Sequence, residues 1–257
     1  MLLVVDVGNT NIVLGAYDGP TLVEHWRIST VSRTTDEMGL LFLQLLQHDG
    51  IDPKAVQGAI ISCVVPSVLY TIEKACRRYL KLDAMVVGRG LKTGMRVRTD
   101  NPREVGADRI VNAVAALEEH APPLVVVDFG TATTFDCVSP EGDYVGGAIA
   151  PGLRISADAL FERTAMLPRV ELERPPKAIG TNTIRSMQSG LIFGYAGLVD
   201  GLARRCKDEI GGKPKCVATG GLANLISRSC TEIDLVDDFL TLKGLRLLWE
   251  RNRAAPR

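Results

Sequence analysis

VVDVGNTNIVLGAY, residues 4–17, and VVVDFGTATTFDCV, residues 125–138, carry one pattern twice. In each stretch an Asp comes at the end of an apolar run, and one residue separates it from a Gly. Small hydroxyl or amide side chains then lead into a second apolar run. The two aspartates, Asp6 and Asp128, stand near the start of each half of the 257-residue chain. This placement predicts a duplicated domain.

Each copy of the pattern is followed by the same order of predicted elements. Strand-like runs joined by the turns YDGP and PEGD come first, and helical patterns and buried strands follow. This order is typical of an α/β fold in which helices flank mixed sheets. The linking segment EEHAPPL predicts a boundary between residues 1–119 and residues 120–257. We also expect Asp36 to cap the first helix and the tail RNRAAPR to fray.

The composition favours a small-molecule partner. Thirty basic residues balance thirty acidic ones, so the chain lacks the positive charge expected of a protein that binds nucleic acid. Its six cysteines are scattered, with no C-x-x-C pair and no histidine cluster, which argues against zinc and against a disulfide framework. The sequence shows no run of about 18 apolar residues and no signal-like leader. We therefore expect no membrane partner and a cytoplasmic location.

The repeated pattern suits phosphate binding. Gly lacks a Cβ and lets the backbone approach a ligand closely, while Thr and Asn supply further hydrogen-bond donors. The aspartates supply oxygen ligands for Mg²⁺ or another hard cation, directly or through water. A single D-x-G after a strand is more often only a tight turn, but two copies in matching contexts favour two loops that hold one nucleotide.

A third element supports this interpretation and points to a known superfamily. The segment ATGGLAN, residues 218–224, follows a predicted strand and opens a helix, and its paired glycines would let an adenosine lie on the backbone. Together the three elements resemble the phosphate 1, phosphate 2 and adenosine motifs of the acetate kinase, sugar kinase, Hsp70 and actin superfamily. The resemblance implies two duplicated ribonuclease H-like domains around a nucleotide cleft.

The segment NPREVGADRIVNAVAAL, residues 101–117, suggests a site for the acceptor. Its apolar spacing predicts a helix, and Asp108 and Arg109 fall near the start of that helix. In this position Asp108 is suited to act as the base that accepts the proton of a substrate hydroxyl, and Arg109 is suited to bind a substrate carboxylate. A simple capping pair on the surface remains an alternative.

These and two further motifs resemble one family within the superfamily. DVGNTN, GADR, DFGTATTFD, GGAIAPG and SGLIFGY, in this order, look like the motifs of type III pantothenate kinases over nearly the whole chain. The resemblance implies that ATP phosphorylates pantothenate to 4′-phosphopantothenate, the first step towards coenzyme A. It also implies a homodimer that uses Mg²⁺ and either K⁺ or NH₄⁺.

The resemblance assigns roles to individual residues. It makes Asp108 the proton acceptor and Asp128 the ligand of the monovalent cation, and we expect Asp6 to hold Mg²⁺ through the phosphates. The ATP contacts are Asp6, Val7, Gly8, Asn9, Thr10, Asn11, Ile12, Val13 and Thr131. The pantothenate contacts are Gly106, Ala107, Asp108, Arg109 and Thr183. Thr99 departs from the family, because many relatives carry at this position a Tyr that lies against the substrate.

Two other functions stay open on the sequence alone. The chain could be a non-catalytic regulator with a vestigial cleft, although the intact Asp6, Asp108 and Asp128 argue against this. It could also be a kinase or phosphatase of the same fold that acts on a sugar or a polyphosphate. The GADR segment favours an acceptor that carries a carboxylate over a sugar or a polyphosphate.

Overall fold

The computed structural model describes residues 1–88 and 90–253. They form two compact units, each built on a five-stranded mixed sheet, as the duplicated α/β fold predicts. The first unit comprises Met1–Gly94, Glu104–Ala115 and the C-terminal segment from Thr241, and the second comprises Met95–Arg103 and Ala116–Leu240. The cut between residues 119 and 120 stays a prediction. Of the tail expected to fray, residues 254–257 lie outside the described residues.

The first sheet has an antiparallel meander on one side and parallel strands on the other. Its strands are β1 (Leu2–Val7), β2 (Asn11–Asp18), β3 (Thr21–Ser29), β4 (Gly58–Cys63) and β5 (Met85–Val86). Their order is β3-β2-β1-β4-β5, with β1 antiparallel to β2 and parallel to β4. Both faces of β1 are covered, which explains why its sequence reads as an apolar run interrupted only by Asp6.

The second sheet repeats this topology. Its strands are β6 (Leu124–Phe129), β7 (Ala132–Val138), β8 (Tyr144–Pro151), β9 (Lys215–Thr219) and β10 (Leu235–Val236). Their order, β8-β7-β6-β9-β10, places β6 between an antiparallel and a parallel neighbour, as β1 is placed in the first sheet. β10 could not be predicted from the sequence, because two residues are too few to show a strand pattern.

Seven α-helices accompany the sheets in the described part of the chain. They are α1 (Thr35–His48), α2 (Pro66–Ala75), α3 (Ala107–Glu119), α4 (Leu153–Arg163), α5 (Thr183–Ile210), α6 (Ala223–Ser227) and α7 (Leu240–Asn252). Among the described residues, none of the helices has the length and apolar character needed to cross a membrane.

The prediction that Asp36 caps α1 is wrong. Thr34 occupies the cap position, where its hydroxyl accepts a hydrogen bond from the Glu37 N–H, and the Glu37 carboxylate accepts one from the Thr34 N–H at 2.7 Å. This reciprocal pair is a capping box, which satisfies two backbone donors at the start of the helix. The Asp36 carboxylate instead accepts a hydrogen bond from the Tyr79 hydroxyl at 2.7 Å.

The last helix, α7, belongs to the first unit. Its Trp249 ring lies against Gly58 of β4 so closely that a Cβ at position 58 would come within 2.5 Å of the ring. At the end of α7, the Asn252 side chain accepts a hydrogen bond from the Lys92 N–H at 2.8 Å and donates one to the Lys92 carbonyl at 2.9 Å. The first unit is therefore assembled from both ends of the chain.

Candidate functional site

Thr30 holds the turn between β1 and β2 in place. Its hydroxyl donates a hydrogen bond to the Gly8 carbonyl at 2.7 Å, and its N–H donates one to the Thr10 carbonyl at 2.9 Å. These carbonyl oxygens, which would repel a phosphate, are thereby bonded within the protein. The side chains of Asn9 and Thr10 are exposed. The turn therefore suits an anion on its outer side.

The exact partner of Thr30 could not be predicted from the sequence, because the β2–β3 register contains a β-bulge. The β2–β3 register shifts between Ala16 and Tyr17. Counting back from the YDGP turn without this shift would place Ser29 opposite Thr10, whereas the observed partner of Ser29 is Asn11. A bulge inserts one extra residue into a strand, and the sequence shows little sign of it.

The second loop is one residue shorter than the first. Strand pairing places Asp6 opposite Val13 in the first copy, but Asp128 opposite Thr134 in the second. The N–H of Gly130 donates to the carbonyl of Ala132 at 3.1 Å, which closes a tight turn. The two copies therefore differ in the width of their turns, and this difference is compatible with different ligands.

The Asp128 carboxylate lies in a cradle formed by two glycines. A Cβ on Gly220 would lie 2.5 Å from Asp128 Oδ1, and a Cβ on Gly130 would lie 3.8 Å from it. Gly220 also has a φ of +95°, which L side chains rarely adopt. Since Gly220 follows directly on β9, the structure brings the predicted adenosine motif against the second aspartate. The α6 helix after this motif has only five residues.

Hydrogen bonds join the second loop to the end of β8. The Gly152 N–H donates to the Thr131 carbonyl at 3.1 Å. The Tyr195 hydroxyl of α5 donates to the Pro151 carbonyl at 2.8 Å and lies 2.5 Å from Thr133 Oγ1. These bonds connect the GGAIAPG motif to the predicted ATP contact at Thr131, and no motif in the sequence indicates this link.

Thr183 is the first residue of α5. Its side chain is exposed and borders an apolar cavity of about 540 Å³. The other residues that line this cavity include Ser156, Leu160, Leu167, Met187 and Leu191. Thr99 also belongs to the second unit, and its buried hydroxyl has no hydrogen-bond partner among the described residues.

Asp108 is the second residue of α3, and its carboxyl group is largely buried. Its Oδ1 accepts a hydrogen bond from the Arg109 N–H at 2.8 Å. A Cβ on Gly106 would lie 2.6 Å from the same oxygen, so glycine at position 106 leaves room for the carboxylate. Burial raises the pKa of Asp108, and the hydrogen bond from Arg109 partly offsets this effect. A carboxylate with a raised pKa is a better proton acceptor.

Asp108 and Asp6 lie on the same side of the first sheet. Asp108 precedes Val111 by three residues, so the two share a face of α3, and Val111 contacts α7. Next to Gly15 of β2, Leu242 of α7 packs beside Val4. Val4 and Asp6 project from the same face of β1, because side chains alternate along a strand. The first unit thus carries the first loop and the GADR segment on the same side of its sheet.

Comparisons with known proteins agree on one family. The model of the type III pantothenate kinase family matches residues 2–205. A type III pantothenate kinase from Anaeromyxobacter sp. (strain Fw109-5) is 59% identical over 254 residues, which cover 98% of this chain and 100% of the relative. One from Myxococcus xanthus is 54% identical over 256 residues, with coverage of 99% and 100%.

A solved structure shows the same fold at low sequence identity. Component A of the (R)-2-hydroxyglutaryl-CoA dehydratase from Acidaminococcus fermentans has a TM-score of 0.56 and is 14% identical. The match covers 95% of this chain and 94% of that protein. The fold predicted from the repeated motif, two ribonuclease H-like domains, is therefore confirmed, and it is shared by a protein of much lower sequence identity than the two pantothenate kinases above.

Proposed function

The chain belongs to the type III pantothenate kinase family, and we propose that its two units supply the base and the monovalent cation site, respectively. The enzyme phosphorylates pantothenate with ATP to 4′-phosphopantothenate, the first step of coenzyme A biosynthesis. The observation that carries the assignment of the base is the partly buried Asp108 carboxyl group at the start of α3, with its raised pKa. We place the enzyme in the cytoplasm, where its co-substrate ATP is available.

The first loop binds the phosphates of ATP in this proposal. Phosphoryl transfer depends mainly on positioning and on neutralising charge. The ATP contacts are Asp6, Val7, Gly8, Asn9, Thr10, Asn11, Ile12, Val13 and Thr131. Asp6 suits Mg²⁺, because a half-buried carboxylate at a strand end offers the oxygen ligand that this ion prefers. When bound, the divalent cation neutralises charge on the phosphates.

The GADR segment binds and activates pantothenate. Asp108 accepts the proton of the substrate hydroxyl as attack begins, and the Arg109 guanidinium pairs with the substrate carboxylate. Gly106 and Ala107 lie against the substrate, and Thr183 of α5 is a further contact. The space that Gly106 leaves beside Asp108 Oδ1 supports this assignment, because it keeps the carboxylate in its buried position.

We assign the monovalent cation, K⁺ or NH₄⁺, to Asp128. The glycine cradle supports this assignment, because glycines at positions 130 and 220 let the backbone lie close to the carboxylate without a clash. The hydroxyl and carbonyl groups of GTATT suit a larger and more weakly hydrated cation than Mg²⁺. When bound, such a cation neutralises charge at the nucleotide site.

Replacing Na⁺ with K⁺ or NH₄⁺ should therefore raise activity several-fold, and Asp128→Asn should abolish the difference. Asp6→Asn is the matched control from the other copy of the motif, because it should lower activity in both salts and keep the preference for K⁺. The measurement is the initial rate at matched ionic strength with saturating Mg²⁺ and ATP. Equal wild-type rates in the two salts would rule out the assignment.

The function itself is tested by a coupled assay of ADP formation with and without pantothenate. Pantothenate should accelerate ADP formation, and mass spectrometry should detect 4′-phosphopantothenate. ATP hydrolysis that is indifferent to pantothenate, or faster turnover with a sugar, would contradict the proposal. A complete absence of ATP turnover would favour a regulatory relative of the family.

We also propose that the enzyme is a homodimer. The second unit exposes large apolar side chains on β8, α4 and α5, with exposed fractions of 66% for Ile149, 43% for Ile155 and 50% for Ile184. Exposed apolar surface of this kind favours association with a second copy. Light scattering at micromolar concentration should give twice the chain mass, and Ile155→Glu should shift the protein towards the monomer. A monomeric mass for the wild type would refute the dimer.

A further inference from the structure

Each Asp-x-Gly loop has a buried hydroxyl residue beside its aspartate on the neighbouring parallel strand. Strand pairing places Asp6 opposite Ser62 of β4 and Asp128 opposite Thr219 of β9. Ser62 is 0% exposed and Thr219 is 2% exposed. Neither residue is part of the repeated sequence pattern. The duplication therefore repeats a second feature, which only the strand register reveals.

The register also places the Ser62 side chain near the ligand edge of the sheet. Residues paired across parallel strands project from the same face, and neighbouring strands lie about 4.8 Å apart. Asp6 and Ser62 are each the last residue but one of their strands. Parallel strands end at a common edge, where open α/β sheets bind their ligands. Both side chains therefore occupy adjacent positions near this edge, with the Ser62 side chain beneath the surface.

The Ser62 hydroxyl has no hydrogen-bond partner among the described residues, although it is completely buried. An unpaired buried hydroxyl destabilises a folded protein, and few such groups are found in native structures. The neighbouring positions of β4, Ile60 and Ile61, are apolar and equally buried. Ala at position 62 would pack equally well in this place. The hydroxyl therefore indicates a role in the ligand-bound state.

We propose that Ser62 is a positioning residue for the divalent cation of the nucleotide: in the ligand-bound state its hydroxyl donates a hydrogen bond to the Asp6 carboxylate, which holds the water shell of the cation. Mg²⁺ gives up its waters reluctantly and is often held through them by protein oxygens. A hydroxyl suits this task, because it can donate a hydrogen bond to a carboxylate from beneath the surface. The inference rests on the proposed kinase function.

The test is Ser62→Ala, measured first without ligand. Because the hydroxyl has no partner in the ligand-free protein, its removal should leave the melting temperature unchanged or raise it. The rise in melting temperature on adding Mg²⁺ with β,γ-imido-ATP should become smaller. The Mg²⁺ concentration for half-maximal activity should rise about 10-fold, as when an outer-shell partner of a metal is lost. The KM for pantothenate should not change.

Ser189→Ala is the matched control. Ser189 is also buried, but its hydroxyl donates to the Ala178 carbonyl at 2.5 Å in the second unit. Its replacement should lower the ligand-free melting temperature and leave the effect of Mg²⁺ and nucleotide intact. Ser62→Cys keeps nearly the same volume with a weaker donor, so it should give an intermediate Mg²⁺ requirement even if the Ala variant folds poorly.

Two results separate this inference from the function on which it rests. A wild-type protein without pantothenate-dependent ADP formation would refute both. An active wild type, together with a Ser62→Ala variant that has a normal Mg²⁺ requirement and a lowered ligand-free melting temperature, would refute only the role of Ser62. In that case the hydroxyl would be a structural group.

Discussion

Asp108→Asn is expected to lower kcat by about 10²- to 10⁴-fold, the range typical of a lost general base, and to make the folded protein more stable at neutral pH. The rate falls because an amide does not accept the proton of the substrate hydroxyl. The stability rises because burial raises the pKa of Asp108, so that ionising this group in the folded protein costs free energy. One substitution thus removes both the base and its destabilising effect.

The raised pKa of Asp108 sets the pH dependence of both quantities. The folded protein holds this proton more tightly than the unfolded chain. The resulting stability is complete below the unfolded pKa and is lost as the pH rises through the folded pKa. Activity changes in the opposite direction, because only the ionised carboxylate accepts a proton. In the wild type, kcat/KM should therefore rise over the interval in which this contribution to stability is lost.

Thermal unfolding and kcat/KM measured from about pH 4 to pH 8 test these expectations. Asp143→Asn provides a control at another buried carboxylate, which forms an ion pair with Arg98 at 2.7 Å. Loss of that ion pair should lower stability and leave kcat nearly unchanged. If Asp108→Asn turned over at the wild-type rate across the pH range, Asp108 would not be the base.

Gly220→Ala is expected to lower activity by about 10²-fold, because a methyl group would displace the Asp128 carboxylate. The added Cβ would lie 2.5 Å from Asp128 Oδ1 and 2.7 Å from the Phe129 nitrogen. The backbone adds a second penalty, since holding a non-glycine residue at positive φ costs about 1–3 kcal/mol. Stability and the preference for K⁺ should both decrease.

Gly142→Ala separates these two effects. Gly142 has a φ of +80°, but its nearest neighbour, Leu117 Cδ2, lies 4.0 Å from the position of an added Cβ. This variant should therefore show the backbone penalty alone, with lowered stability and normal activity. Denaturant unfolding and initial rates in K⁺ and Na⁺ provide the comparison. Equal activities for the two variants would show that Gly220 does not keep space for Asp128.

The sequence predicted those parts of the fold that depend on local pattern. Asp6 and Asp128 each interrupt a buried apolar strand, and such an interruption can be recognised in the amino-acid sequence alone. The same holds for the GADR segment, because helical spacing places Asp108 at the start of α3. The two sheets and the family therefore followed from the motifs and their order.

Features that depend on pairing between distant strands could not be predicted in the same way. Ser62 lies in an apolar run that carries no motif, and only the β1–β4 register places it opposite Asp6. The bulge between Ala16 and Tyr17 changes by one the residue that lies opposite Thr30. Register is decided by bulges and by long-range pairing, and a single sequence shows neither directly.

The position of α7 in the first unit bears on how the chain folds during its synthesis. Domains generally fold as units on the ribosome, with the N-terminal domain first. Here the first unit needs α7, whose Leu245 and Leu248 are completely buried, and these residues are translated after the whole of the second unit. The second unit ends at Leu240, so all of its residues are translated before α7 is complete. The nascent chain thus completes its second unit first. The strands of the first sheet, although they are made earliest, pack against α7 only after α7 has been synthesised.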